Sequence, residues 1–535
     1  MEGTFWAIVP ALVTIIIALA FKQVYVALFV GVFTGAMMLA GGNPLIAFER
    51  LFKIMANTLS DSFDPSSSGG DYNFEHGAIL IFILMLGILV VLMNKAGGTQ
   101  AMGNWFAKKV RSRKGILGVT AGFGVLMFMD DYFNRLATGS VMRPITDKYR
   151  ISRVKLAFII GSLSVSVCIL VPISSWASAI ASTINNGLPE GSTANAFTLY
   201  LQSVACNFYP ILTIIFIVVT SVLGMDFFTI RKREKTAIET GDVTCGKQPT
   251  FESEENYAVN PRGKIIDLVL PILAMIVFSI GFMFFFNARY GDMLASISLA
   301  CGSTLAVIFT MILYIPRKVL TFAECNKSFG DGFKSICDVF MILILAWTLS
   351  DICSELDVGT FVSSIASAMG DAKVLLPAIM FLIAMGTSFA TGTSWGTFGI
   401  IVPLVIPMFT TEIGSQLQIL TVSAVLSGAV FGDQVSPISD ATILSAATAQ
   451  CDHMDYVKAQ LPVALLNAVV AFVGFLAGGL TNNIWVGWLA TLVGFVVLIV
   501  VSYFLQKKKG QLLPKLTLDS FEEEKDVAST DSHAE

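Results

Sequence analysis

Three stretches of this chain set reactive side chains inside long apolar runs. The first, FMDDYFNR (128–135), places Asp130 beside Asp131 and follows them with Asn134 and Arg135. A charge at the centre of a bilayer costs about 3 kcal/mol on insertion scales, so an intramembrane carboxylate marks a functional site by default. Adjacent carboxylates repel, and a proton or a metal cation relieves the repulsion. That suits a site alternating between H+ and Na+. The bland alternative is that Arg135 neutralises one aspartate. The second stretch, TGTSWGT (391–397), supplies Thr391, Thr393, Ser394 and Trp395. Small hydroxyl residues and glycines permit unwound backbone whose oxygens suit a hard cation. A helix-packing seam is its alternative.

The third stretch, GDQVSPISDAT (432–442), sets Asp433 and Asp440 on either side of Pro437, with Ser436 and Ser439 between them. Proline removes a backbone hydrogen bond and breaks the helix, freeing a carbonyl. Asp433, Asp440 and Ser436 are therefore expected to hold Na+, with Asp130, Asp131 and Asn134 sharing the cation or proton. A related string, PISSW (172–176), carries Ser174, Ser175 and Trp176 but no carboxylate, and is expected to be a helix break whose carbonyls and hydroxyls contribute oxygen ligands. These three residues, with Arg135, Thr391, Thr393, Ser394, Trp395, Ser436, Pro437 and Ser439, are expected to line the substrate path. Asn467 reads as a helix–helix hydrogen bond, and His453 and Lys458 as solvated or snorkelling side chains near a membrane boundary.

The elements positioning these residues follow from composition. Of 535 residues, 55% are hydrophobic and only 13% charged, against about 25% charged in an average soluble protein. Mean hydropathy is +0.75. This excludes a disordered chain, a disulfide scaffold and an ordinary soluble enzyme, and predicts an all-α polytopic membrane protein. Spanning-length apolar runs occur at 5–21, 24–41, 78–93, 154–184, 196–224, 265–286, 292–315, 336–353, 416–446, 456–480 and 484–505. Two more, 116–142 and 374–409, are interrupted by the polar clusters and are expected to be re-entrant hairpins or broken helices. Such backbone survives at membrane depth only when buried in protein or lining a cavity. The eight cysteines lack metal spacing, and no phosphate loop or hydrolase triad is present, so neither an enzyme nor an ATP-driven pump is expected. No cofactor and no nucleic-acid partner are expected.

Basic residues sort to one side. Lys22, segments 94–115, 143–155, 225–264 and 316–335, and the tail through Lys515 hold 27 of the 34 Lys and Arg. The positive-inside rule predicts that these face the cytoplasm of a plasma (inner) membrane, with the C-terminus inside and the N-terminus outside. Segment 60–77 is expected to be an exterior loop.

Short strings recur in register. F-x-x-x-F-K at Phe48, Phe52 and Lys53 returns at Phe329, Phe333 and Lys334, and Pro172-Ile173-Ser174 returns at Pro437-Ile438-Ser439. The expected organisation is a first transmembrane repeat (1–224), a cytoplasmic connector (225–264) and a second repeat (265–483). An extra span (484–505) and a disordered acidic tail (506–535) follow. Each half holds about five spans plus one hairpin. An odd number of crossings inverts one half against the other, as in many secondary transporters.

At these motifs the chain resembles the NhaC-type Na+/H+ antiporter family of the ion transporter superfamily. The strings FMDDYFNRLATGSVMRPITDKYRISRVKLAF (128–158), VPISSWAS (171–178), FATGTSWGTFGIIVPL (389–404) and FGDQVSPISDATILSAATAQCDHMDYVKAQLP (431–462) carry the resemblance. It implies a secondary active transporter exchanging Na+ for H+ by alternating access. The alternative it implies is a Na+- or H+-coupled carrier of a small organic solute, an amino acid or carboxylate. The lipid bilayer is the other partner, and a homodimer is carried as an expectation. Two stretches depart from the family pattern. Members often read DSTAA where this chain has Gly161-Ser162-Leu163-Ser164-Val165, and FGDHCSPISD where Gln434 and Val435 replace His and Cys. Both changes remove a titratable group and add weight to an organic substrate.

Overall fold

A bilayer offers backbone groups no water, so each segment must satisfy its own hydrogen bonds. The computed structural model describes residues 4–512, apart from 22–23, 61–74, 111, 190–191, 193, 251–259, 291–294, 410–412 and 438. All the regular structure among them is helical. The first half contains α1 (Val9–Phe21), α2 (Val24–Leu39), α3 (Pro44–Ser60), α4 (Glu75–Lys95), α5 (Gly98–Lys109), α6 (Arg113–Leu126), α7 (Asp131–Lys148), α8 (Arg153–Cys168), α9 (Ser175–Gly187), α10 (Ala196–Val204), α11 (Phe208–Leu223) and α12 (Phe228–Thr240). The second contains α13 (Ile266–Tyr290), α14 (Ala295–Tyr314), α15 (Phe322–Glu355), α16 (Val358–Met369), α17 (Leu376–Thr391), α18 (Ser394–Val405), α19 (Gln416–Val435), α20 (Asp440–Ala449), α21 (His453–Thr481) and α22 (Ile484–Lys508). Among the described residues, 8 helices are long and apolar enough to cross a membrane, or up to 10 if each bent pair is one span.

Two spanning-length runs break at their proline strings, as expected. Run 154–184 divides into α8 and α9, and run 416–446 into α19 and α20. In both, a proline lies in the break and a serine side chain caps the next helix: Ser174 for α9 and Ser439 for α20. Run 196–224 also divides, into α10 and α11. α2 and α3 meet at a bend of 115°. The tail beyond residue 512 and most of 60–77 lie outside the described residues.

Helix starts recur at a fixed separation. Arg113 and Leu376, Asp131 and Ser394, and Arg153 and Gln416 each begin helices 263 residues apart. α6–α7 and α17–α18 are both helix–break–helix units. The outer ends of α6 and α7 lie at the end of the molecule that gathers the basic segments. There the Tyr149 hydroxyl donates to the Val110 carbonyl at 2.7 Å. α17 begins at the other end, where a Cβ built on Gly479, near the close of α21, would lie 2.2 Å from the Val374 carbonyl oxygen.

The basic segments share one end because their charges pair across it. Arg113 bonds Glu234, and Lys155 bonds Asp226. Arg233 reaches Asp455 at 2.8 Å, Lys95 reaches Asp331 at 2.7 Å and Arg317 reaches Asp267 at 2.5 Å. Segment 225–264 is thus more than a linker: α12 packs on α8 and α21 and buries Glu234 completely. His453 corrects another expectation. It is buried, sharing a 3.0 Å hydrogen bond with Thr442.

α17 packs along α19 with almost no side chain between the backbones. A Cβ on Gly432 would lie 2.4 Å from the Phe389 nitrogen, and one on Gly428 2.4 Å from the Phe381 carbonyl oxygen. Such small-residue seams let membrane helices approach closely. Gly432→Leu is expected to remove folded protein, whereas Gly432→Ala should cost about 1–3 kcal/mol as overpacking. Monodispersity on size-exclusion chromatography in detergent checks this; a Gly432→Leu protein as monodisperse as the parent would refute the seam.

Candidate functional site

Four short helices begin at the breaks, and their first turns meet. Asp130 caps α7, Ser174 caps α9, Thr393 caps α18 and Ser439 caps α20. Each start carries unpaired backbone N–H groups and the positive end of a helix dipole. Three carboxylates sit among them: Asp131 and Asp433 are buried and Asp130 is half-buried.

In the first half, Asp130 Oδ1 accepts from the Phe133 N–H at 3.0 Å and Oδ2 from the Ser175 hydroxyl at 3.1 Å. The Ser175 N–H in turn donates to the Met129 carbonyl at 3.1 Å, tying α9 to the hairpin tip. Asp131 accepts from Arg135 Nη1 at 2.6 Å and from the Trp176 Nε1–H at 3.1 Å. The alternative reading, neutralisation of one aspartate by Arg135, is therefore present at Asp131, but it engages a single guanidinium nitrogen. Arg135 Nε and Nη2 are buried and have no hydrogen-bond partner.

In the second half the roles are exchanged between hairpin and broken helix. Here the carboxylate lies on the broken helix: Asp433 Oδ2 accepts from Ser394 of the hairpin at 2.8 Å and Oδ1 from Ser439 at 2.5 Å. The two halves touch through Trp176 and Trp395, whose ring centroids are 5.1 Å apart, with Phe398 closing the cluster. α7 meets α20 directly: a Cβ on Gly139 would lie 2.4 Å from Thr448 Cβ. Arg135 lies in the electrostatic field of both Asp131 and Asp433.

Several expected ligands have structural duties instead. Asn134 donates to the Gly124 carbonyl at 2.6 Å and accepts from Thr138 at 3.2 Å, locking the hairpin. The Ser174 hydroxyl donates to the Cys168 and Val171 carbonyls and accepts from the Ala177 N–H. Thr391 donates to the Thr387 carbonyl at 2.9 Å. Gly392 ends α17 at φ 73, a left-handed conformation that glycine adopts without strain. Ser436 caps the end of α19, and its carbonyl accepts from Thr442 at 2.8 Å. Pro437 sits in the break, half-buried. Asp440 begins α20, but its side chain lies outside the described residues, so its pairing with Asp433 around a cation stays an expectation.

A neutral layer beside Asp433 escaped the sequence reading. Gln434 accepts from the Tyr209 hydroxyl at 2.6 Å and donates to the Ser162 hydroxyl at 2.6 Å, while its carbonyl accepts from Gln460. Gln434 and Ser162 belong to the two stretches that depart from the family pattern, and they bond each other. Gln460, a polar residue at the start of an apolar run, was the available signal.

The model of the Na+/H+ antiporter family matches residues 167–480. An uncharacterized protein of Haemophilus influenzae is 31% identical over 515 residues, covering 93% of this chain and 95% of its own. A malate-2H(+)/Na(+)-lactate antiporter of Bacillus subtilis is 41% identical over 100 residues, 17% of this chain and 20% of its own length. An arginine/ornithine antiporter of Halobacterium salinarum is 27% identical over 236 residues, 43% of this chain and 44% of its own. With its polytopic helices, its paired breaks and a family match over most of its length, the chain is a multi-pass membrane protein and a secondary transporter belonging to the Na+/H+ antiporter family.

Proposed function

We propose that this chain exchanges Na+ for H+ at the junction of the four helix starts, by rocking two inverted repeats about it. The supporting observation is Asp433. Its carboxylate is held by hydroxyls from a hairpin and a broken helix, and each of those oxygens can turn a lone pair toward an incoming cation. A proton and Na+ then compete for the same carboxylate oxygens, which is the minimal requirement for exchange. Asp130, with Ser175, forms the matching half. Residues 1–224 and 265–483 are the repeats, with the basic end in the cytoplasm of the inner membrane.

The test is Na+-driven proton movement in proteoliposomes carrying a pH-sensitive dye. Alkalinisation that saturates with Na+ and collapses when the Na+ gradient is removed is expected. A flux insensitive to Na+ and Li+ would overturn the reading.

One observation favours a second reading, coupled transport of an organic solute. Arg135 keeps two buried guanidinium nitrogens unpaired beside the site, and a buried unpaired donor costs about 1–3 kcal/mol. A substrate carboxylate would satisfy both in the fork geometry that arginine favours. The malate/lactate and arginine/ornithine exchangers among the relatives move solutes bearing that group.

A further inference from the structure

Resting on the second reading, we propose that a cavity at the end of the molecule opposite the basic cluster is an entry site for a small amine-bearing solute. Its occupant is a zwitterionic or cationic amino compound, not a carboxylate anion. The cavity holds about 570 Å³ and lies between the C-terminal parts of α9, α15 and α18. A water molecule occupies roughly 30 Å³ of liquid, so bare ions do not require this space. Pockets for small organic ligands span about 300–1,000 Å³.

The lining chooses the charge. Asn186, Ser350, Ser354, Thr360 and Asp357 supply its polar groups. Among the described residues no lysine or arginine lines it. An anion would lose hydration there without a cationic partner, whereas an ammonium finds hydroxyls, an amide oxygen and one carboxylate.

A polar track leads from the cavity to the site. Ser178, Ser182 and Asn186 follow one another at intervals of four along α9 and so share a face. The Ser178 and Ser182 hydroxyls and the Asn186 Nδ2 are buried and without hydrogen-bond partners. The serines are almost fully buried. One turn before Ser178 lie Ser174 and Ser175, and Ser175 bonds Asp130. On α18, Gly399 lines the cavity one turn beyond Trp395. An amino compound entering here therefore meets carboxylates for its ammonium. Arg135's free edge lies deeper, for any carboxylate it carries.

Cys353 lines the same cavity, as a free thiol, and reports its occupancy without any transport assay. The purified full-length protein in detergent is treated with a water-soluble methanethiosulfonate, and modification of the Cys353 peptide is followed by mass spectrometry. L-ornithine and L-alanine at saturation are each expected to slow modification by about tenfold, with NaCl and L-malate leaving the rate unchanged. Asn186→Leu is expected to raise the half-protecting ornithine concentration by about tenfold, the worth of one hydrogen bond to a charged group. Failure of both amino compounds to protect, protection by malate alone, or no modification of Cys353 would overturn the proposal. The dye assay on the same preparation separates the readings. Intact Na+/H+ exchange without protection sinks only this inference, and protection without exchange sinks only the ion-exchange reading.

Discussion

Asp433→Asn is expected to abolish Na+-driven proton exchange in proteoliposomes while the protein still inserts and purifies as a folded species. Asparagine keeps the shape of the side chain, and one oxygen still accepts a serine hydroxyl. The other serine can turn to accept from the new amide, so little packing is lost. What disappears is the negative charge that both H+ and Na+ must neutralise. Losing one charged ligand, worth about 3 kcal/mol, lowers cation affinity by roughly 100-fold. Asp131→Asn should behave differently. Asp131 pairs with a fully buried Arg135, so its neutralisation leaves an unpaired charge and costs about 3–5 kcal/mol of stability as well. Dye-monitored exchange together with a thermal-unfolding scan distinguishes the two. Full Na+-dependent activity in both variants would sink the assignment of the site.

The second large effect lies far from the proposed ion site. Glu234 of α12 accepts from the Arg113 guanidinium at the start of α6 and from the Ser152 N–H at the start of α8, the latter at 2.7 Å. It is completely buried. The connector thereby holds the entrance of the first hairpin and the first turn of the broken helix. Glu234→Ala is expected to destabilise the protein by about 3–5 kcal/mol, because Arg113 is left buried without its counter-charge. Glu234→Gln should cost less, since an amide oxygen still accepts one of the two bonds. The double variant Arg113→Met with Glu234→Met should recover much of the loss, since a matched apolar pair avoids desolvating two charges. Fluorescence-detected melting in detergent measures all three. A Glu234→Ala protein melting like the parent would show that the pair contributes nothing.

How much of the site was legible depended on whether a residue's role is local. Asp130, Asp131 and Asp433 stood out because charge within an apolar run is costly wherever the run folds. The break at Pro437 and its counterpart at Pro172 were legible because proline acts on its own backbone. The pairing of Ser394 with Asp433, 39 residues away, was not, since a hydroxyl looks the same in a packing seam as beside an ion. Asn134 was assigned to the cation and Ser174 to the substrate path on residue type, yet their polar atoms are spent on a carbonyl lock and a helix cap.

The sequence by itself determined that the chain is helical, lies in a membrane, breaks at defined points and gathers its basic residues at one end. Those properties come from hydropathy, proline and charge counts, which are sums over neighbours in the chain. Only the tertiary structure decided which carboxylate pairs with a cationic side chain and which is held by hydroxyls. Asp131 meets Arg135 one helical turn away and Trp176 across a break, whereas the hydrogen bonds described for Asp433 come from the Ser394 and Ser439 hydroxyls. It also decided that two departures from the family pattern, Ser162 and Gln434, lie 272 residues apart in sequence but share one hydrogen bond. Buried polar groups must find partners inside the protein, and at such separations the partner is chosen by how helices pack.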